Sequence, residues 1–231
     1  TYTGTTTVSA GNLNLNSAGT AIAGNLTVAG GTATLQAADQ IADGKNVVVT
    51  SGTLDVASFN DTVNGVQITG GTITGTTGAL TSTTAFDLQA GTVSAILGGT
   101  AGANKTTAGT VTLSKTNTYT GATTVSAGTL TLGHATNTLA DASTVVVSGG
   151  TLDLGGNADT VAGVQQTGGT IQNGTLTSTT AFDMQAGTAS ANLAGAVGLD
   201  KTTAGTTTLS GTNTYTGTTT VSAGNLNLNS A

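Results

Sequence analysis

Residues 1–18 read TYTGTTTVSAGNLNLNSA, and residues 214–231 repeat the same eighteen letters 213 positions later. A diverged third copy, TYTGATTVSAGTLTL, begins at Thr118. Identity over that length means tandem duplication, so the chain has to be read as a repeat first. Inside each copy a small residue, a glycine and then Thr or Asn mark one point of a shorter period. The markers are Gly11, Gly31, Gly52, Gly71, Gly91, Gly109, Gly128, Gly150, Gly169, Gly187, Gly205 and Gly224, spaced 18 to 22 residues apart. A period near 20 with variable insertions belongs to a solenoid.

The residues around each marker alternate. The second and fourth positions after it are mostly aliphatic, as in Leu54 and Val56, Leu130 and Leu132, or Leu152 and Leu154. The first and third are polar, as in Thr129 and Thr131. The third residue before it is mostly apolar (Val8, Val28, Val49, Ile68, Leu88, Val125, Val147, Met184, Val221), and the fifth adds Val47, Val66, Phe86, Val145, Val164 and Phe182. Period-2 alternation puts one face inward and one outward. Two short strands therefore meet at each glycine, where a Cβ is least welcome.

The rest of each period calls for a third, less regular strand with turns. Tyr2, Tyr119 and Tyr215, each nine residues before a marker, belong to that wall, beside residues such as Ile41, Val63, Leu80, Leu139, Val161 and Leu176. The predicted fold is all-β: a right-handed parallel β-helix of about 11–12 coils of 18–22 residues, with three strands per coil. Stacked at about 4.8 Å per coil, it forms a rod on the order of 55 Å long. The whole chain, 1–231, reads as one continuous solenoid, with sub-repeats 1–117 and 118–213 and a partial copy 214–231. The first sub-repeat carries about one extra coil, around residues 25–36. Solenoids tolerate insertion by whole coils because each coil touches only its neighbours.

Composition agrees. Among 231 residues there are 36 Gly, no Pro, no Cys and no Trp, and only 6 % are charged. Every acid is Asp and every base is Lys, so the charged helix formers Glu and Arg are missing, while strand-favouring Thr and Val abound. A net charge of −6 leaves no basic patch for nucleic acid. No apolar run approaches the roughly 20 residues of a membrane-spanning helix. Zero Cys excludes a disulfide framework and suits export. Without an initiator Met or signal-like segment, the sequence reads as an excerpt of a longer chain.

Residues 105–132 read KTTAGTVTLSKTNTYTGATTVSAGTLTL, and residues 201–228 read KTTAGTTTLSGTNTYTGTTTVSAGNLNL. These resemble the autotransporter-associated β-strand repeat, also called the passenger-associated transport repeat. Lys201, Gly205, Leu209, Gly211, Asn213, Tyr215, Gly217, Thr219, Val221, Gly224 and Leu226 fit its pattern. So do Lys105, Gly109, Val111, Leu113, Asn117, Tyr119, Gly121, Thr123, Val125, Gly128 and Leu130. Thr107, Thr203 and Lys115 depart from it where glycine is common. The resemblance covers about a third of the chain and implies a β-helical passenger of a secreted or surface-exposed bacterial protein. The membrane-spanning barrel of such proteins is not in this sequence.

Some β-helices are glycan-active enzymes, which need close acid pairs or bound calcium. The ten acids here are Asp39, Asp43, Asp55, Asp61, Asp87, Asp141, Asp153, Asp159, Asp183 and Asp200. Most are repeat counterparts about five coils apart, roughly 24 Å, and read as solvated outward residues. His134 is the only histidine, and with no Cys neither a triad nor a zinc site can be built. The phrase Gly155-Gly156-Asn157-Ala158-Asp159 is a single, incomplete likeness of a calcium repeat. Thr-x-Thr pairs such as Thr129 and Thr131 resemble an ice-binding array, but Asp55, Asp153, Gln172, Ser94 and Ser190 interrupt it.

No catalytic, cofactor or metal residue is therefore expected, and the twelve glycines are expected to be structural corners. The expected role is a structural segment of an extracellular fibre or surface stalk, growing by coil stacking, through covalent tandem repeats or head-to-tail subunits. Its main partner would be itself. The alternative is an adhesin passenger that binds a glycan or host surface; ice binding and glycan chemistry rank below both.

Overall fold

A computed structural model describes residues 2–229. Thr1, Ser230 and Ala231, the outermost letters of the duplicated segment, lie outside the described residues. Thr, Val and Leu favour extended backbone, while glycine-marked bends stop any strand from running on. The chain accordingly forms short strands, no helix among the described residues, and only parallel pairings. Twelve coils follow one another, each seated on the coil before it.

Sheet A takes one strand from every coil, in chain order: Thr6–Val8, Leu26–Val28, Asn46–Val49, Gly65–Ile68, Phe86–Leu88, Ala103–Lys105, Thr123–Val125, Thr144–Val147, Gly163–Gln166, Phe182–Met184, Leu199–Lys201 and Thr219–Val221. Sheet B takes Asn12–Leu15, Thr32–Leu35, Thr53–Asp55, Thr72–Ser82, Gly91–Gly98, Thr110–Leu113, Thr129–Leu132, Thr151–Val161, Thr170–Ser178, Gly187–Ala189, Thr206–Leu209 and Asn225–Leu228. All twelve marker glycines fall at the bend from sheet A to sheet B or open the sheet B strand. The parallel β-helix with about twelve turns is the predicted fold.

The third wall departs from three strands per coil. Strand pairing there is confined to two patches. One joins Asp61–Val63 to residues 80–82 and then 96–98; the other joins residues 158–161 to 175–178 and then Asn192–Ala194. The long strands Thr72–Ser82, Gly91–Gly98, Thr151–Val161 and Thr170–Ser178 reach it by turning the corner from sheet B, with a register break where they bend. Elsewhere the wall is irregular and closes through isolated bridges such as Ile22–Ile41.

The core is one apolar column running from Val8 to Leu209. Stacked coils place like residues over like, so Val28, Val49 and Ile68 form one ladder and Leu54, Ile73 and Val93 another. A fully buried aliphatic side chain of this size contributes about 1.5–3 kcal/mol. No coil buries its inner face alone, so that gain is realised only between neighbours.

The corner shows why glycine recurs. At Gly52 the backbone is not left-handed, yet an added Cβ would lie 2.8 Å from Val28 Cγ1 and closer still to the Gly31 carbonyl oxygen. The restriction there is steric. Gly44, in an exposed turn, has nothing within 4 Å of the same position. Gly52→Ala is therefore expected to destabilise the rod by about 3 kcal/mol, while Gly44→Ala stays within about 0.5 kcal/mol; urea unfolding followed by circular dichroism measures both.

Candidate functional site

The chemistry-bearing residues lie at three places: the glycine corner, the third wall and the outer faces. At the corner the alternation places Lys105 and Lys201 inward, and both are fully buried in the core column. They pair with Val125 and Val221 of the following coils. Their ammonium groups turn into the corner. Lys105 Nζ donates to the Thr107 carbonyl, and Lys201 Nζ donates to the Thr203 carbonyl and to Ala223 O at 3.2 Å. Gln166 does the same two coils before Lys201, donating to Gly169 O at 3.1 Å and Thr188 O at 3.0 Å. Burial pushes the Lys105 ammonium below the usual lysine value, and the Asp87 carboxylate opposes that shift.

These lysines accompany a change of register. The corner runs three residues from Leu88 to Gly91, but six from Lys105 to Val111, the partner of Gly91. The same step recurs from Met184 to Gly187 and from Lys201 to Thr207. Lysine fills the enlarged corner and satisfies carbonyls that a tight bend would not expose. The next coil feels it too. At Gly128, with φ of 63°, an added Cβ would lie 2.6 Å from Lys105 Nζ, and Gly224 meets Lys201 in the same way.

In the third wall, Asx side chains, buried at Asp61, Asn117 and Asp159 and half-buried at Asn213, take the place of missing strand pairing. Asp61 Oδ2 accepts from the Gln40 and Ile41 backbone N–H groups at 2.8 and 3.1 Å. Asp159 Oδ2 accepts from Thr138 and Leu139 at the same distances. Asn117 and Asn213 accept from Leu97 and Leu193, each at 2.9 Å. Every one of these side chains reaches back one coil to a backbone N–H with no ladder partner. Asp61 and Asp159 are 1 % and 2 % exposed, so the expectation that they are solvated is wrong for both. The Oδ1 atom of each is buried without a hydrogen-bond partner. Burial raises both carboxyls to about 6, with the Ile41 and Gln40 N–H groups opposing at Asp61 and those of Leu139, Thr138 and Thr160 at Asp159.

Tyr2, Tyr119 and Tyr215 each bond a threonine four residues on, at 2.7, 2.8 and 2.9 Å, so three copies build the same strut. Tyr119 packs on Phe86 with ring centres 5.9 Å apart, and Tyr215 packs on Phe182 at 6.0 Å. Tyr119 is fully buried, whereas Tyr2, in the first coil, is 54 % exposed.

The outer faces hold most of the remaining acids. Counterparts such as Asp55 and Asp153 stay five coils apart, but Asp183 and Asp200 are register partners on adjacent sheet A strands. The expected dispersal of acids therefore fails for that pair; its counterpart in the first sub-repeat is Asp87 beside Asn104, a single carboxylate. His134 Nδ1 meets the Thr136 carbonyl at 2.6 Å in a turn. In the Gly155–Asp159 phrase, Gly155 N–H donates to Asp153 and Asp159 turns inward, so the acids do not converge. The threonine array is not straight. Thr92 pairs with Thr112 and Thr188 with Thr208, stepping the column by two residues at the enlarged corners.

The family Passenger-associated-transport-repeat matches residues 1–15, 104–132, 126–154 and 199–228. The match over 126–154 is one that the tyrosine and lysine spacing did not single out; it holds no tyrosine or lysine, and Leu139 is buried there. No curated protein and no solved structure matches the chain. The matches recur along the chain but cover less than half of it, so stretches similar to this repeat, whose family is associated with autotransporter passengers, alternate with stretches that the family model does not match.

Two expectations follow from the buried polar groups. Asp61 and Asp159 bind protons more tightly folded than unfolded. The stability linked to them is full below pH 3.8 and falls as pH rises through about 6, a loss of up to about 3 kcal/mol per site by pH 8. Asp61→Asn with Asp159→Asn, matching Asn117 and Asn213, should flatten melting temperature against pH and raise it at pH 8. Separately, Lys105→Met should leave the Thr107 carbonyl unpaired and cost about 1–3 kcal/mol in urea unfolding.

Proposed function

We propose that this chain, with its recurring matches to the passenger-associated-transport repeat, is a length of rod-like, non-catalytic stalk in a surface-exposed or secreted bacterial protein. Its work is mechanical. Stacked coils hold distance from the cell and display side chains along a stiff column. Coils 1 and 12 carry the reading. Their sequences are identical, and their strands, Thr6–Val8 with Asn12–Leu15 and Thr219–Val221 with Asn225–Leu228, occupy identical places 213 residues apart.

Coil 1 is covered by coil 2 through Thr6–Leu26 and Leu15–Leu35 pairing. Coil 12 carries the same inward residues in the same places as coil 1, and at the matching positions of coil 7 Val125 and Leu132 are buried beneath the coil that follows. A coil like coil 2 fits over coil 12 directly. Covalent continuation supplies such a coil, with coil 12 serving as coil 1 of the next repeat. It also sets a phenylalanine under Tyr2, as Phe182 lies under Tyr215. Head-to-tail stacking of separate segments would instead lay coil 12 on another coil 1, with no phenylalanine in place. Tandem covalent repetition is the better fit.

Two segments fused through one shared copy of the eighteen residues should form a single straight rod of about 110 Å by small-angle scattering, with one continuous scattering profile. On cells of the native host, the rod should be cleaved by added protease. Two rods joined by a hinge, or a protein shielded inside the cell, would sink the proposal.

A further inference from the structure

The outer face of sheet A carries two shallow grooves, one in each sub-repeat, with volumes of about 230 and 300 Å³. They are copies of each other. Val48, Gly65, Gln67, Thr84, Ala85 and Asp87 line the first, and Val146, Gly163, Gln165, Thr180, Ala181 and Asp183 line the second. Of the residues lining the two grooves, only Asn46 has changed, to Thr144. Several outward residues away from the grooves differ over the same stretch, since Ser58 became Gly156, Asn60 became Ala158 and Thr74 became Gln172, while others, such as Thr53 with Thr151 and Asp55 with Asp153, are kept. Core packing accounts for the buried members. It does not account for keeping Val48, Gln67 and Asp87, which face out of the sheet.

Each groove has a built polar floor. Asp87 Oδ2 accepts from Gln67 Nε2 at 2.6 Å and from Gln89 Nε2 at 2.8 Å. Asp183 Oδ2 accepts from Gln165 Nε2 at 2.6 Å, and its Oδ1 accepts from Gln185 Nε2. The two amides fix the carboxylate at the groove, where Asp87 or Asp183 and Gln67 or Gln165 are lining residues. The glycine makes the depression: a Cβ at Gly65 would lie 3.0 Å from Thr84 Oγ1, and one at Gly163 would lie 2.9 Å from Thr180 Oγ1. Val48 and Ala85, or Val146 and Ala181, add an apolar edge.

We propose that both grooves are subsites for a neutral hexose unit of a glycan. A carboxylate flanked by amides accepts hydrogen bonds from adjacent hydroxyls, and charge-assisted bonds of this kind are about twice as strong as neutral ones. The aliphatic edge suits the C–H face of a sugar ring. The lining contains no Lys, Arg or His, and its one charge is negative, which disfavours acidic sugars and phosphates. The strands beneath are hydrogen-bonded on both sides within sheet A, so an added peptide strand finds no free edge. The grooves repeat five coils apart, about 24 Å along the rod, so one polysaccharide can engage both. This goes beyond the stalk role and stands or falls separately from it.

Saturation-transfer NMR on the intact chain, with glucose, galactose, mannose and N-acetylglucosamine, tests the proposal, with glucuronate as the acidic control. At least one neutral sugar should receive transfer and glucuronate should not. Asp87→Ala with Asp183→Ala should abolish it, while Asp55→Ala leaves it unchanged. The gentler Asp87→Asn with Asp183→Asn, checked for fold by circular dichroism, should weaken it at least tenfold. A polysaccharide of the same sugar should bind the native chain about 10²-fold tighter than the Asp183→Ala variant. No transfer from any neutral sugar, preference for glucuronate, or transfer that survives both double variants overturns the assignment.

Discussion

The approach of one coil's corner to the corner before it sets the terms for everything else in this rod. Successive coils lie about 4.8 Å apart, and at the bend from sheet A to sheet B that spacing brings backbone onto backbone. An added Cβ at Gly31 would be 2.6 Å from Gly11 O, and one at Gly150 would be 2.9 Å from atoms of Ala127. The corner therefore has to be glycine even where φ is ordinary. Once it is, the two sheets leave it in fixed directions and the aliphatic ladders fall into line behind them.

Uniform stacking has a weakness wherever a coil changes length. Enlarging a corner, or leaving the third wall unpaired, strands backbone groups inside a dry core. The chain answers with side chains of the right reach. Long donors, Lys105, Lys201 and Gln166, serve corner carbonyls, and short acceptors, Asp61, Asn117, Asp159 and Asn213, serve third-wall N–H groups. Donor and acceptor are thus matched to the orphan they meet. The acceptors are not equivalent in cost. An asparagine carries no charge into the fold, whereas burial raises the carboxyls of Asp61 and Asp159 to about 6, and each keeps one oxygen unpartnered.

Legibility in the sequence follows the range of the interactions. Sheets A and B obey local rules, alternation around a glycine, and both were readable from single periods. The third wall depends on contacts such as Asp61 with Gln40 in the coil before, 21 residues away, and no local pattern announces them. The buried lysines were hidden by a coincidence of spacing. Gly91 and Gly109 stand 18 residues apart, yet the strands after them pair Gly91 with Val111, so a shorter path and a longer corner cancel in the count. The usable signal was the alternation Ala103-x-Lys105 and Leu199-x-Lys201, which continues the inward phase of the neighbouring strands. Asp183 and Asp200 escaped for a related reason: a 17-residue separation becomes lateral contact only once the true register is known.

The two sub-repeats also act as an internal control on what the fold requires. Both keep the corner lysine, the strut between tyrosine and threonine and the phenylalanine beneath it, because each closes a specific gap in the stack. Asn60 and Ala158, or Thr74 and Gln172, differ on the outer faces, where no core contact depends on them. Gln67 with Gln165 and Asp87 with Asp183 are also unchanged; each pair joins neighbouring coils through an amide–carboxylate bond and holds a carboxylate on the outer face of sheet A. The outer face thus takes part in holding the stack, through side-chain bonds from one coil to the next such as Gln67 to Asp87 and Gln172 to Asp153.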